Sequence, residues 1–396
     1  MSRRLQALLA VSLLCNAAAA VLLWRAAGGL DAVAGKLRQL RAGGVAELSA
    51  PPPMQRVELT TDRVSGLPGY ASTGRWVRLP DELVAQLRPP LQVLSQFPSG
   101  GRIRFKTDAS AVRILARSRD PGTPFHMNSI MKNGVDLYLD GRYWSSAWPD
   151  ETGQIRRRFE LPAEPRVRSV TVYLPLYEQI EIYEVAVPEG ARILPADDLA
   201  SRQPMIFYGS SITQGGVASN PGMSYPAILS RSLGIDFINL GFSGNGLGDP
   251  ELARYIATLE ASIIVLDFWA NPSPELYAQT LSPFVEAIRA RHRDTPILVV
   301  GPFYNVNREQ EHREKRATAS QLVESRQQAG DEHIHFFDGR LMLSRETAFG
   351  LTDGRHPNSL GFWFCAQALE PKLRELLELP AAAGSQALSS PLQASE

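Results

Sequence analysis

Cysteine is nearly missing from this chain, and its two copies cannot staple it. Cys15 sits inside an apolar run and Cys365 in a late helical pattern, so no disulfide joins parts of a folded domain. Stability must then come from buried cores. Net charge is missing as well: Lys plus Arg and Asp plus Glu number 41 each, so no global field draws the chain to nucleic acid or to a strongly charged substrate. Histidine is scarce, with six copies. His333 and His335 lie two apart on one strand pattern, but no third ligand stands at a suitable spacing, so neither a metal nor a cofactor is expected. His126, His292 and His312 sit in polar contexts and are expected to be solvated. Internal repeats are absent too.

What the chain does have is length, since 396 residues accommodate two ordinary domains of ~100–200 residues and a further segment. Leu5 to Trp24 carries no charge and is flanked by Arg3, Arg4 and Arg25. A helix of that length just spans a bilayer core, so residues 1–28 are read as an N-terminal membrane anchor or signal segment. An uncleaved transmembrane helix fits the length better than a cleaved signal peptide, and a lipoprotein signal would need a small residue where Leu14 precedes Cys15. Arg25, Lys36, Arg38 and Arg41 rival Arg3 and Arg4 under the positive-inside rule. Long C-terminal domains translocate largely regardless of such charges, so the folded part is expected on the periplasmic side, or secreted if the segment is cleaved. Residues 29–53 read as a linker, with a short amphipathic helix over 30–45 ended by Pro51-Pro52-Pro53. Residues 380–396, rich in Ala, Ser and Gln, read as a disordered tail.

Between 54 and 198 the pattern is short β-prone runs at 102–106, 112–116, 135–139, 155–161, 169–174 and 179–187. Their alternation, and Asp140-Gly141 as a hairpin signal, predict an all-β sandwich with little helix. From 199 to 379 the rhythm changes. Buried strands at 205–209, 237–241, 263–268, 297–301 and 333–338 alternate with helical patterns near 223–233, 250–259, 274–292, 309–329 and 359–378. That order predicts a parallel sheet of five strands covered on both faces, with ligands outside the carboxyl ends of the strands.

The loops after those strands are where chemistry is expected. The first strand runs into Gly209-Ser210-Ser211-Ile212-Thr213-Gln214-Gly215, a small-residue turn feeding a helical segment. A serine there projects above the sheet, and the backbone N–H groups just after it are free to bind developing negative charge. Alone it reads equally well as a Ser-rich tight turn. The second loop, Gly241-Phe242-Ser243-Gly244-Asn245-Gly246, lets backbone approach a ligand. The third, Asp267-Phe268-Trp269-Ala270-Asn271-Pro272, presents an amide donor, or merely an Asx turn before Pro272. Before the last helix stands Thr352-Asp353-Gly354-Arg355-His356-Pro357-Asn358. A carboxylate three residues before a histidine can hold Nδ1–H and leave Nε2 to accept a serine proton.

Taken together, these motifs resemble in order and sheet position the SGNH (GDSL-like) hydrolase superfamily, over roughly 204–378. The resemblance implies a flavodoxin-like three-layer α/β/α domain preceded by a jelly-roll-like sandwich. It also implies roles: Ser211 as nucleophile, His356 as general base, Asp353 orienting it, and an oxyanion hole from the N–H groups of Ser211 and Gly244 and the side-chain amide of Asn271. Trp269, narrowing the acyl pocket, and Arg355 are taken as substrate-binding. Two positions depart from the pattern: Ser210 replaces the usual Asp before the nucleophile, and Trp269-Ala270-Asn271-Pro272 replaces Gly-x-Asn-Asp. The pairing with a β-sandwich is similar to two-domain carbohydrate acetylesterases. The expected activity is therefore a serine esterase removing acetyl or another small acyl group from carbohydrate. The alternatives are a lipase, lysophospholipase or thioesterase, and an inactive membrane-tethered glycan-binding protein.

Overall fold

The computed structural model describes residues 53–124, 126–164, 166–196, 202–305 and 307–381. The expected membrane segment, nearly all of the linker and the tail after 381 lie outside the described residues. Among the described residues no helix is long and apolar enough to cross a membrane. From Met54 onward the chain forms one compact unit.

Its N-terminal part is β-rich. One antiparallel sheet has the order β1 (Met54–Arg56), β9 (Ile180–Pro188), β4 (Ala111–Ser118), β7 (Gln154–Glu160). The other runs β10 (Ile193–Leu194), β3 (Arg102–Thr107), β8 (Arg168–Tyr173), β5 (Val135–Leu139), β6 (Arg142–Ala147), with β2 (Val64–Ser65) paired to β3. Alternate residues turn inward: Ile103 and Phe105, Val112 and Ile114, Val170 and Val172, Ile155 and Phe159 share one buried core drawn from both sheets. Each such side chain contributes about 1.5–3 kcal/mol on burial. The Asp140-Gly141 signal forms the β5–β6 hairpin, with φ of 50° and 75° as its tight turn requires. Strand β6 was not among the runs read from the sequence, because RYWSSA exposes Tyr143 and Trp144 and lacks an apolar alternation.

Little helix was expected here, and the structure corrects that. Helices α1 (Pro68–Thr73), α2 (Asp81–Val84), α3 (Pro89–Leu94) and α4 (Ser129–Asn133) interrupt the strands. They are set by end signals, since each is too short to show periodicity. Proline occupies the first turn of α1 and α3, and the Asn128 side chain caps α4 by accepting the Met131 N–H at 2.9 Å.

The C-terminal part is α/β. Its parallel sheet has the order β12 (Phe237–Gly241), β11 (Met205–Gly209), β13 (Ile263–Asp267), β14 (Ile297–Val300), β15 (Ile334–Phe337). All residues of β11, β12 and β13 are buried, as a sheet covered on both faces requires. The short α5 (Ser211–Gln214) follows β11, then α6 (Tyr225–Leu233), which packs against the last helix, α10 (Ser359–Leu376). Helix α8 (Pro274–Arg289) packs against α7 (Pro250–Ile256) and α9 (Glu309–Gln328). The chain reverses direction across the sheet between β11 and β13, and that switch point is where ligands bind in such folds.

Two fully buried arginines fasten the β-rich part onto β12. Arg102 of β3 donates to Asp236, to the Phe237 carbonyl at 2.9 Å and to Gly100, with its guanidinium 4.0 Å over the Phe237 ring. Arg78 has only carbonyl partners, at Asn239, Gly241 and Leu94, and lies 4.5 Å over the Phe242 ring. Desolvation lowers its pKa to about 9, so it remains charged at neutral pH without a carboxylate. Truncating Arg102→Ala strands these acceptors and should cost roughly 3–5 kcal/mol, read as a lower urea midpoint, while Arg102→Lys recovers only part because an ammonium lacks the planar fork.

Candidate active site

Strand β11 ends at Gly209, which sits on the same rung as Gly241 of β12 and Asp267 of β13. Three loops therefore leave the sheet edge side by side. A Cβ on Gly209 would overlap the Thr213 hydroxyl and lie 2.6 Å from the Asp267 carbonyl, so only glycine lets the strand turn directly into α5. Ser210 caps that helix: its backbone is extended and its hydroxyl accepts the Ile212 N–H at 3.2 Å. Ser211 is the first helical residue.

The structure brings Ser211 and His356 together across 145 residues of chain, with Oγ 2.8 Å from Nε2. On the other edge of the ring, Nδ1 is 2.7 Å from Asp353 Oδ2. The second Asp353 oxygen accepts the backbone N–H groups of His356 at 2.7 Å and Arg355 at 3.0 Å. Partial burial works to raise the Asp353 pKa, but the backbone N–H and ring of His356, with the Arg355 N–H, outweigh it and hold the carboxyl down at about 2. The carboxylate is thus charged throughout ordinary pH and fixes Nδ1 as the protonated nitrogen. Nε2 is left to accept from the serine, an arrangement able to activate a hydroxyl for attack on a carbonyl.

The expected oxyanion donors lie on the adjoining loops. Gly244 is exposed, with φ of 67°, and its N–H, like that of Ser211, has no acceptor among the described residues. Asn271 is partly buried, and its side-chain oxygen accepts the Gly246 N–H at 3.0 Å, which turns the amide NH2 away from Gly246.

Beneath these loops lies Asp267, 1% exposed and without a countercharge. It accepts from Thr213 at 3.0 Å, Tyr225 at 2.9 Å and the Trp269 indole at 2.7 Å. Desolvation raises its pKa to about 6 against the opposing pull of those three donors.

Trp269 corrects the expectation that it narrows an acyl pocket. It is 2% exposed, and its ring packs edge-on against Phe303 and His312 at 5.0 and 5.1 Å, because Asp267 draws its N–H into the floor. His312, expected to be solvated, is buried for the same reason: it wedges Trp269 and is 2.9 Å from the Phe303 carbonyl through Nδ1. Arg355 is exposed on the Asp353–His356 loop.

Four supporting side chains escaped the sequence reading. Gln214 accepts the Ser243 N–H at 2.9 Å and donates to Leu176 and Ser99 of the β-rich part. Asn239 donates to the Thr213 carbonyl at 2.8 Å. Tyr177 donates to the Ser211 carbonyl at 3.2 Å. Asn305, just beyond β14, donates to the Gly354 carbonyl at 2.9 Å and steadies the histidine loop. Gln214 and Asn239 lie within motifs already singled out, and Asn305 follows a fourth strand end. Tyr177 carries no local signal, because only tertiary folding brings it there.

Comparison with known proteins finds relatives of both parts of the chain. The family model described as GDSL-like lipase/acylhydrolase matches residues 202–374, and the one described as the N-terminus of SGNH-hydrolase-type esterases matches 56–193. A GDSL-like lipase structure from Bacteroides ovatus is 27% identical, with a TM-score of 0.75, and the match covers 84% of this chain and all of that one. A salicylyl-acyltransferase from a tetracycline biosynthetic pathway is 23% identical with a TM-score of 0.64, covering 76% of this chain and 89% of that one. A family two carbohydrate esterase from Clostridium thermocellum, in complex with cellohexaose, is 15% identical with a TM-score of 0.55, covering 71% and 93%. The last two share the fold. No curated protein matches the chain.

The raised Asp267 pKa makes a prediction about stability. Between the ordinary value of 3.8 and about 6 the folded protein keeps a proton that the unfolded chain has lost, so this group's contribution is full below the first value and lost as pH rises through the second. Asp267→Asn removes that dependence, and the difference in urea midpoint between wild type and variant should shrink as pH rises across the window.

Proposed function

Because the chain belongs to the SGNH (GDSL-like) hydrolases and is an esterase-type enzyme, we propose that it cleaves acyl esters of carbohydrate, acetyl above all, through a Ser211 acyl-enzyme. The observation that carries the reading is the unbroken hydrogen-bond line from Ser211 Oγ to His356 Nε2 and from Nδ1 to Asp353. As the Ser211 oxygen attacks the ester carbonyl, its proton passes to Nε2, and Asp353 stabilises the imidazolium that forms. The carbonyl oxygen takes up negative charge and is met by the N–H groups of Ser211 and Gly244 and by the Asn271 amide. His356 then gives its proton to the departing sugar oxygen. Water, deprotonated by the same ring, releases the acid and restores the serine.

The carbohydrate part of the reading is supported by the β-rich domain ahead of the α/β domain, a pairing shared with the carbohydrate esterase folds. We take that domain as jelly-roll-like. The apolar run at 5–24 supports a membrane tether with the catalytic part on the periplasmic side.

A longer acyl group is the second reading, favoured by an apolar cavity of about 450 Å³ lined by Val93, Leu94, Met127 and Tyr177 beside Ser243 and Asn245. Chain-length profiling separates the two. Turnover should be highest on acetylated sugars and p-nitrophenyl acetate; a maximum at long acyl chains with none on sugar acetates overturns the glycan reading. Ser211→Ala and His356→Ala should abolish practical turnover. Asn271→Ala should lower kcat by about 10²–10³-fold with KM little changed, since the amide acts on charge present only in the transition state.

A further inference from the structure

A second open groove, of about 550 Å³, lies in the β-rich part where the starts of β9 and the ends of β4 meet the segment after α1. Its wall is unusual in composition. Arg117 and Arg119 are exposed there and make no ion pair with a carboxylate among the described residues, while Arg75, on the opposite rim, is paired with Asp81. Tyr183 is 50% exposed, and half-buried Trp76 rests on Tyr70 with ring centroids 4.8 Å apart. Beside them stand acceptors. Glu181 faces Arg117 directly across the strand pair and accepts a hydrogen bond from the Tyr183 hydroxyl at 2.9 Å, and the Gln179 oxygen accepts an Arg119 N–H at 3.0 Å.

We propose that this groove binds an anionic oligosaccharide carrying uronate groups, separately from the active site. Guanidinium forks match carboxylates bidentately, and flat aromatic faces suit the C–H faces of pyranose rings. The presence of Glu181 and Gln179 decides against a phosphodiester chain. A nucleic acid offers few hydroxyl donors to the Glu181 and Gln179 oxygens, whereas a sugar acid supplies many hydroxyl donors as well as a carboxylate acceptor for the guanidinium groups.

The groove is also connected to the ester site. Gln179 lines it, Glu178 next to it pairs with buried Lys132 at 3.0 Å, and Tyr177 donates to the Ser211 carbonyl. Two residues of chain thus separate the groove lining from a side chain that touches the nucleophile turn.

The test is calorimetric titration of the full chain with oligogalacturonate, with the carboxyl-reduced oligosaccharide and a single-stranded oligonucleotide as competitors. The charged sugar should bind, the reduced sugar at least about tenfold more weakly, and the oligonucleotide should not displace it. Arg117→Ala with Arg119→Ala should remove binding, and Tyr183→Ala should weaken it. All three substitutions should leave the circular dichroism spectrum and the hydrolysis of p-nitrophenyl acetate unchanged. No binding to the wild type, equal affinity for the reduced sugar, displacement by the oligonucleotide, or full binding by the double variant overturns the proposal. Because binding is read without turnover, an inactive esterase would leave this result standing and overturn only the ester-cleaving reading.

Discussion

A carboxylate without a counterion governs the geometry of the active edge. Asp267 is buried at the end of β13, where burial favours its neutral form, yet it accepts hydrogen bonds from three side chains on separate stretches of chain. Thr213 fixes the turn two residues after Ser211, Trp269 fixes the loop two residues before Asn271, and Tyr225 fixes the start of α6. A hydrophobic residue of equal size would pack as well but would leave three buried donors without an acceptor, at a cost of about 1–3 kcal/mol each. The acid is therefore costly to bury and costlier to replace, and what it secures is the relative position of two loops that the proposed chemistry needs within reach of the same carbonyl.

The β-rich part completes this arrangement instead of merely preceding it. Arg78 and Arg102 satisfy carbonyls of β12 that continue into the Gly244 loop, and Gln214 reaches from the nucleophile turn to Ser99 and Leu176 while holding Ser243. Tyr177 closes the circuit on the Ser211 carbonyl. Backbone polar groups at the end of an open sheet must find partners, and here side chains from the neighbouring domain supply them. The two parts thus share polar contacts as well as apolar ones, since Leu79, Leu91 and Met131 of the β-rich part lie in the same buried cluster as the α/β core.

The parallel sheet was legible because buried strands and longer helical patterns alternate with distinct periods, and the site motifs because three sit at strand ends where small residues are conspicuous and the fourth stands just before the last helix. In the fold Ser211, His356 and Asp353 form one hydrogen-bonded line, with Gly244 and Asn271 on the two adjoining loops. What stayed hidden was long-range. Trp269 reads from sequence as a rim aromatic, and only the presence of Asp267 two residues earlier, with His312 folded over from α9, turns it inward. Polar His312 looks solvated in a linear chain, but folding sets its ring against Trp269 and 2.9 Å from the Phe303 carbonyl. The short helices α1 to α4 lack the length to announce a period.

The two departures from the superfamily pattern are accounted for by the same hydrogen-bond logic. The residue before the nucleophile needs an oxygen that accepts the N–H at the start of the helix, and the Ser210 hydroxyl does so at 3.2 Å. In the third motif the loop needs its amide aimed, and the aim comes from Gly246 holding the Asn271 oxygen, which asks nothing of the following residue. Pro272 can therefore stand where an acid is usual, restricting the backbone just before the Ser273 cap of α8.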